Sequence, residues 1–526
     1  MKNPYEAETA VDRVTPGRPW LVGFALAFGA FLLLPLAVRI GAPGDSSPVP
    51  AGESAGAGLR ERLRSLEGRL EAQPLFEKWR RRDQAVLIRV FREGNRRVVI
   101  GRDGWLHYRA DLDAVFGKGP RYVEPTTVAR GPVDDSWQPP IPLIASFAAQ
   151  LEARGIELVL APVPTKAMLQ PGGFGRSGNT VAHPDYRDIL DDLRNAGIET
   201  VDLLPVLGGI PRERDRFLKQ DTHWTPLGME RSARAVAGRI RSGPDAADPE
   251  KAVEIREVER THRGDLVGML DAAGSETLFP LERQTLRQVI DPGTGAPPRS
   301  DPEAEVVLLG DSFVNVYDDP ALGFGDDEET AIGGGFASHF AAALGEPVHV
   351  VAINGGGATG VRRAFASLPD DVVRSKEIVV WVFSARDLIL AELPARRAGI
   401  EWRPVEWNPE RSDSAAPASG ALTVIGTLAE RSQFGDPGET PYASAVHSAI
   451  FTDIEVEEGS YDGEEIYAFS WAFRDRQLEP TARLEAGKRY RLELIPFDEA
   501  KEAATATRLD DFFRPDLRLW WVVRAE

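Results

Sequence analysis

The sequence predicts an α/β protein: a parallel sheet flanked by helices, with an N-terminal transmembrane helix and a small C-terminal all-β domain. Three observations carry this. Residues 20–38 run without a charge. From about 96 to 400, short β-rich runs alternate with helical stretches. After 418 the helical stretches stop, and short aromatic and β-branched runs remain.

The apolar run is "WLVGFALAFGAFLLLPLAV", Trp20 to Val38, close to the length that spans a bilayer. Lys2, Arg13 and Arg18 precede it, whereas only Arg39 lies between it and Arg60. Positive charge collects on the cytoplasmic side. Residues 1–19 are therefore expected as a cytoplasmic tail, 20–38 as a single-pass anchor in the cytoplasmic (inner) membrane, and the body as periplasmic or extracytoplasmic. A cleaved signal peptide is the rival reading. It fits less well, because the run exceeds an ordinary h-region and no small-x-small site follows closely. Residues 39–58 are expected as a flexible linker, since "GAPGDSSPVPAGESAGAG" holds no large apolar side chain. Leu59, Leu63, Leu66 and Leu70 recur at helical spacing, so helices are expected across 59–95.

Composition excludes several classes. Acidic residues outnumber basic ones, 81 to 62, for a net charge of −19, which disfavours nucleic acid as a partner. There is no cysteine, which removes disulfides, Cys-based zinc sites and thiol nucleophiles.

Residues 59–407 are expected as the α/β domain. "IELVLAPV" (156–163) follows the helix-like "IPLIASFAAQLEAR", and "IETVDLL" (198–204) follows "DYRDILDDLRNAG". "EVVLLGDSF" (305–313), "PVHVVAIN" (347–354) and "EIVVWVFSA" (377–385) come next. These runs show little alternation, as in strands buried on both faces of a parallel sheet. Ligand-facing groups in such sheets sit at the carboxyl ends of strands. Residues 408–417 read as a second linker, and 418–526 as a small β-sandwich or barrel.

Two strand-end motifs carry chemistry. "VVLLGDSFVN" runs a buried strand into Gly310-Asp311-Ser312, leaving a hydroxyl above the sheet. Serine needs a base to become a nucleophile. "LKQDTHWTPLG" (218–228) supplies one of the seven histidines, His223, with Asp221 two residues before it. Asp221 is placed to fix the imidazole tautomer and stabilise its protonated form. Thr225 fits an N-cap and Pro226 the first helical position, so His223 is expected on a loop just before a helix. In "AINGGGATG" (352–360), Asn354 is a candidate oxyanion donor together with the Ser312 backbone N–H. Tyr317 is a second oxyanion candidate. Lys166 and Trp224 are candidate substrate contacts. Arg386, beside Asp387 at another strand end, either brackets the site or forms a structural ion pair. No metal site is expected.

Gly-Asp-Ser, Asn-Gly and Asp-x-His together resemble the SGNH hydrolase superfamily, but here Asp221 and His223 precede Ser312. That order, with "DTHWTPLG" and "GDSF", resembles the AlgX/AlgJ-like alginate O-acetyltransferase family. "GRDGWLHY" (101–108) is similar to the family's opening block, with His107 where Phe is usual. "APVPTKAMLQP" (161–171) is similar to its strand-end block. The resemblance covers about 95–390.

The resemblance implies an SGNH-hydrolase-like fold and a membrane-tethered acetyltransferase acting on hydroxyls of an exopolysaccharide. It implies no bound cofactor; a membrane-bound O-acyltransferase partner delivers the acetyl donor. Ser312 would carry the acetyl group, and His223 would deprotonate the attacking sugar hydroxyl. By position and texture the β domain matches the carbohydrate-binding domain with which family members end; Trp471, Trp520 and Trp521 are its sugar-binding candidates, with a core role the favoured reading. The charge of −19 is poorly matched to a polyuronate such as alginate, so a neutral or different glycan is expected. Two alternatives stay open: an acetylesterase with the same triad, and a non-catalytic glycan-binding or assembly scaffold.

Overall fold

The computed structural model describes residues 74–121, 139–170, 180–241, 253–319, 332–398, 402–405, 420–432, 444–500, 506–509 and 517–526, with isolated positions between them. The expected tail, transmembrane helix and first linker lie outside the described residues, as does the linker at 408–417. Among the described residues, no helix is long and apolar enough to cross a membrane. The chain divides into two compact units, residues 1–80 and residues 81–526.

Helix α1 (Pro74–Val86) leads into the second unit and continues as a π-helical segment, Leu87–Phe91. Strands β1 (Val98–Ile100) and β2 (Leu106–Tyr108) form an antiparallel pair around "GRDGW", and helix α2 (Arg109–Phe116) follows. Helix α3 (Pro140–Glu152) opens with proline in its first turn and buries Leu143, Ile144, Phe147 and Leu151, an i, i+1, i+4, i+8 stripe. The central sheet then assembles from β3 (Glu157–Val163), β4 (Glu199–Thr200), β7 (Val306–Gly310), β8 (His349–Ala352) and β9 (Ile378–Ser384). Its order is β4-β3-β9-β7-β8, and every pairing is parallel. All five residues of β7 are buried, which accounts for the unalternating "VVLLG".

The 250s and 280s depart from the expected alternation. Strands β5 (Glu254–His262) and β6 (Glu282–Ile290) form a long antiparallel ribbon, mostly solvated. Its sequence, "EIREVERTH", alternates weakly because few of its side chains meet a core.

The C-terminal region is a barrel rather than a sandwich. Strands β10 (Leu422–Arg431), β11 (Ala445–Glu458), β12 (Ile466–Arg474), β14 (Arg489–Pro496) and β16 (Leu519–Ala525) close on themselves, because β12 pairs with both β11 and β16. The short strands β13 (Gln477–Leu478) and β15 (Thr507–Leu509) attach at the sides. Closure removes the unpaired edges that an open sheet exposes. Its apolar clusters contain no residue of the α/β core, which runs from Ala85 to Val405. Trp520 and Trp521 are buried and belong to these clusters, and half-buried Trp471 packs edge-on against Trp521. The two buried tryptophans thus have a core role rather than a sugar-facing one.

Candidate active site

Ser312 begins a single helical turn directly beyond β7, α5 (Ser312–Asn315). Asp311 caps this turn through its carboxylate, which accepts from the Phe313 N–H at 2.9 Å. Gly310 is required by proximity, since a Cβ there would lie 2.2 Å from Val314 Cγ2. Its lack of a side chain lets the turn fold back onto the strand end and leaves Ser312 half-buried above the sheet.

The segment carrying His223 is tied at both ends. Phe217 and Trp224 pair as an antiparallel bridge. The Leu218 N–H donates to the His223 carbonyl at 3.1 Å, and the Thr225 N–H to the Arg216 carbonyl at 2.9 Å. Thr225 then caps helix α4 (Pro226–Ile240), accepting from the Gly228 N–H at 3.2 Å. His223 is therefore held on a short rigid approach to a helix.

These elements bring three side chains into line. His223 Nε2 lies 2.8 Å from Ser312 Oγ, and His223 Nδ1 lies 2.6 Å from Asp221 Oδ1. Asp221 also accepts from the His223 N–H at 2.9 Å and, on its other oxygen, from the Asp265 N–H at 3.0 Å. Burial alone would raise the Asp221 carboxyl. The adjacent imidazole and these donors outweigh burial and hold it below the ordinary carboxylate range. Burial likewise lowers the His223 pKa, but the charge and hydrogen bond of Asp221 dominate and raise it above 6.5. The Phe313 ring packs edge-on to His223, with centroids 4.8 Å apart.

Asp265 was not singled out from the sequence. It begins the helical turn Asp265–Leu270. Its carboxylate accepts from the Thr222 N–H at 2.8 Å and from the Thr222 hydroxyl at 2.5 Å. With its own N–H on Asp221, it fixes both residues that precede His223. Burial and the neighbouring Asp221 raise its pKa to about 6. Gly264 permits this approach, since a Cβ there would lie 2.0 Å from the Gln220 carbonyl oxygen. The only sequence signal is "GDL" opening an apolar run, an ordinary helix start. One atom each of Asp221, His223 and Asp265 falls within a 4.8 Å group of the kind that can hold a metal ion. The 2.6 Å contact from His223 Nδ1 to Asp221 is a hydrogen-bond distance.

The other candidates separate. Asn354 stands just beyond β8, which pairs with β7 up to Gly310↔Ala352, so Asn354 and Ser312 occupy adjacent strand ends. Its amide oxygen accepts from Asn315 Nδ2 at 2.9 Å, and its amide nitrogen donates to Asp319 Oδ2 at 2.5 Å. Tyr317 is fully buried, and its hydroxyl donates to the Trp224 carbonyl at 2.6 Å. That proton is committed within the fold, so Tyr317 is a strut rather than an oxyanion donor. Trp224 is also fully buried, stacked on Phe336 and edge-on to Phe313, so it supports His223 from behind and does not face substrate. Lys166 is buried too; its ammonium donates to the Leu106 carbonyl at 2.6 Å and the Lys219 carbonyl at 3.1 Å. Burial lowers its pKa to about 8. It ties β2 to the approach of Asp221 and is not exposed to substrate. Arg386 pairs with Asp111 at 2.7 Å and lies 3.6 Å from Asp387, which makes it a structural ion pair at the end of β9.

A parallel α/β sheet with Ser312 just beyond a strand end, and His223 and Asp221 brought to it from a helix-entry loop, is the arrangement of SGNH-like acyl-transfer and ester-hydrolysis folds. The profile of the family described as the SGNH hydrolase-like domain of acetyltransferase AlgX matches residues 98–385, and the chain belongs to that family. The "Probable alginate O-acetylase AlgJ" of Pseudomonas aeruginosa is 34% identical over 231 residues, 42% of this chain and 54% of that protein. The "Alginate biosynthesis protein AlgX" of Azotobacter vinelandii is 25% identical over 239 residues, 44% of this chain and 46% of that protein. The chain thus spans about half the length of these curated relatives. The solved O-acetyltransferase domain of Pseudomonas putida AlgJ is 22% identical, with a TM-score of 0.40, covering 55% of this chain and 91% of that one.

Proposed function

We propose that the chain is an O-acetyltransferase that acetylates hydroxyls of an exopolysaccharide through an acetyl-Ser312 intermediate. The observation that carries this is His223 bridging Asp221 and Ser312 at 2.6 and 2.8 Å.

His223 removes the Ser312 hydroxyl proton as Oγ adds to the acetyl carbonyl of the donor. The tetrahedral intermediate collapses, the donor's leaving group departs with that proton, and acetyl-Ser312 remains. A sugar hydroxyl then adds to the acetyl-enzyme and passes its proton to His223. Ser312 Oγ leaves and recovers the proton. Asp221 stabilises the imidazolium formed in each half. Asn354 retains one amide hydrogen beyond its bond to Asp319, and with the Ser312 backbone N–H it is the proposed oxyanion donor.

The relatives are named for alginate, which supports a polysaccharide acceptor. A net charge of −19 works against long-range attraction of a polyuronate, so acceptor tests need a neutral glycan beside an acidic one. The reading includes a membrane anchor at 20–38, a body outside the cytoplasm, and an acetyl donor supplied by a membrane-bound acyltransferase. The test offers an activated acetyl ester with each oligosaccharide and weighs acetylated sugar against free acetate. Trapped acetyl on Ser312 followed by acetyl-sugar supports the transferase. Acetate as the sole product with every glycan assigns an esterase instead.

A further inference from the structure

Residues 81–97 carry six arginines and two carboxylates in a chain whose net charge is −19. They include the end of α1 and the π-helical segment that follows. Ala85 and Ile88 enter the core, whereas Val86, Leu87, Val90 and Phe91 are 52, 36, 65 and 67% exposed. These four recur at i, i+1, i+4 and i+5, so they form one apolar stripe on the solvent side. Contiguous exposed apolar side chains mark an interaction surface.

The charges around the stripe have unequal roles. Arg81 pairs with Asp271 at 3.3 Å, Arg97 donates to the Met269 carbonyl at 2.7 Å, and Arg89 reaches the Thr277 hydroxyl at 3.5 Å. Arg82, Arg92 and Arg96 are exposed and have no ion-pair partner among the described residues. Arg82 sits one turn before Val86 on the same side of the helix. Arg92 ends the helix in the left-handed conformation, φ 52°.

We propose that residues 81–97 dock on an anionic phospholipid surface. The arginines meet the headgroups, and Val86, Leu87, Val90 and Phe91 enter the acyl boundary. A nucleic acid or acidic glycan answers the charge but offers nothing to four exposed apolar side chains. A bilayer interface takes both, which is how basic amphipathic helices bind membranes. The proposal rests on the anchor reading of residues 20–38, which would tether the chain to a bilayer.

The absence of cysteine makes the test direct, since Val90→Cys gives the full chain a single labelling site. A fluorophore there is compared with one at Val523→Cys on the barrel, where Val523 is 57% exposed. The full chain is reconstituted in vesicles with brominated acyl chains, made either of phosphatidylcholine alone or rich in phosphatidylglycerol. The label at 90 is quenched by the bromolipid in the anionic vesicles and less so in the neutral ones, and the label at 523 is not. In Arg82→Glu/Arg92→Glu/Arg96→Glu the membrane-contacting population falls, by about fivefold per arginine at low salt. If the chain sediments with vesicles while the label at 90 stays as unquenched as that at 523, the docking face is wrong and the anchor stands. A chain that does not sediment with vesicles overturns both. Quenching that is equal in the two lipids and indifferent to charge reversal overturns the electrostatic recognition. A label shielded from aqueous quencher but untouched by bromolipid shows that protein, not lipid, covers the stripe.

Discussion

His223 Nε2 lies 2.8 Å from Ser312 Oγ, although 89 residues separate them in the chain. The contact joins a helix-entry loop to a strand end. Both are rigid for local reasons: the Thr225 cap with the Phe217–Trp224 bridge on one side, and the Asp311-capped turn packed on Gly310 on the other.

Ser312→Ala and His223→Ala should each abolish most acetyl transfer. The double variant should be little worse than either, because members of such a unit act non-additively. Asp221→Asn should lose about 10³–10⁴-fold in kcat, since the imidazole would favour the wrong tautomer. Stability divides the set. Ser312→Ala should keep its Tm, whereas Asp221→Ala strands two buried donors and one part-buried donor and should cost roughly 1–3 kcal/mol for each buried one left unpaired. Thermal melts alongside single-turnover rates check both halves, and a fully active Ser312→Ala would end the mechanism.

The pH profile should rise on its acid side with a midpoint above 6.5. His223 works as a base only when neutral, and its pKa is raised by Asp221. Activity is thus lost as pH falls through that raised value. Asp221→Asn removes the charge responsible, so the residual activity should rise at lower pH. The profile of kcat/KM on a small activated acetate ester, for both proteins, reads this shift.

Asp265 predicts a stability effect of opposite sign from an ordinary salt-bridged carboxylate. Its folded pKa of about 6 lies above the unfolded value, so the fold binds its proton more tightly than the unfolded chain does. Its contribution is present at low pH and is lost as pH rises through about 6. Asp265→Asn keeps an acceptor for the Thr222 N–H without the charge beside Asp221. Its Tm should exceed that of the parent by a few degrees at pH 8, and the gain should vanish near pH 4. A lower Tm at pH 8 would mean that the charged contacts to Thr222 outweigh the repulsion.

Tyr317→Phe separates a strut from an oxyanion donor. Losing the bond to the Trp224 carbonyl should cost about 1 kcal/mol of stability. Activity should stay within a few-fold, whereas loss of an oxyanion donor costs about 10²–10³ in kcat. Parallel melts and rates decide.

A chain ending at Val405 should stay folded and hydrolyse a small acetate ester, because the apolar core of the α/β domain closes by that residue and the barrel has its own. Aggregation of that shorter chain would show that the barrel completes the core.

Much of this was legible because local chemistry wrote it. Strands β3, β7 and β9 read as unalternating apolar runs, since both their faces are covered, whereas the edge strand β4 is only Glu199–Thr200 and β8 is largely half-buried. The cap at Thr225 and the turn after Gly310 follow from residue types with few conformational options. The ribbon of β5 and β6 left little trace, because its mostly solvated side chains carry no strong pattern. Barrel closure was equally hidden, as it depends on one strand pairing with two others far apart in sequence.

By itself, the sequence determined which residue types stood ready at the strand and helix ends: Ser312 after Gly310-Asp311, and His223 two residues after Asp221. Tertiary structure alone decided what each side chain faces. It set Ser312 against His223 and brought Asp265, forty-four residues beyond Asp221, onto that carboxylate. It turned Lys166, Trp224 and Tyr317 inward to bind carbonyls or rings. A polar residue at a strand end has the same local sequence whether it meets substrate or a buried carbonyl. The choice belongs to the packing of distant segments, where an unpaired buried group costs more than any local preference supplies.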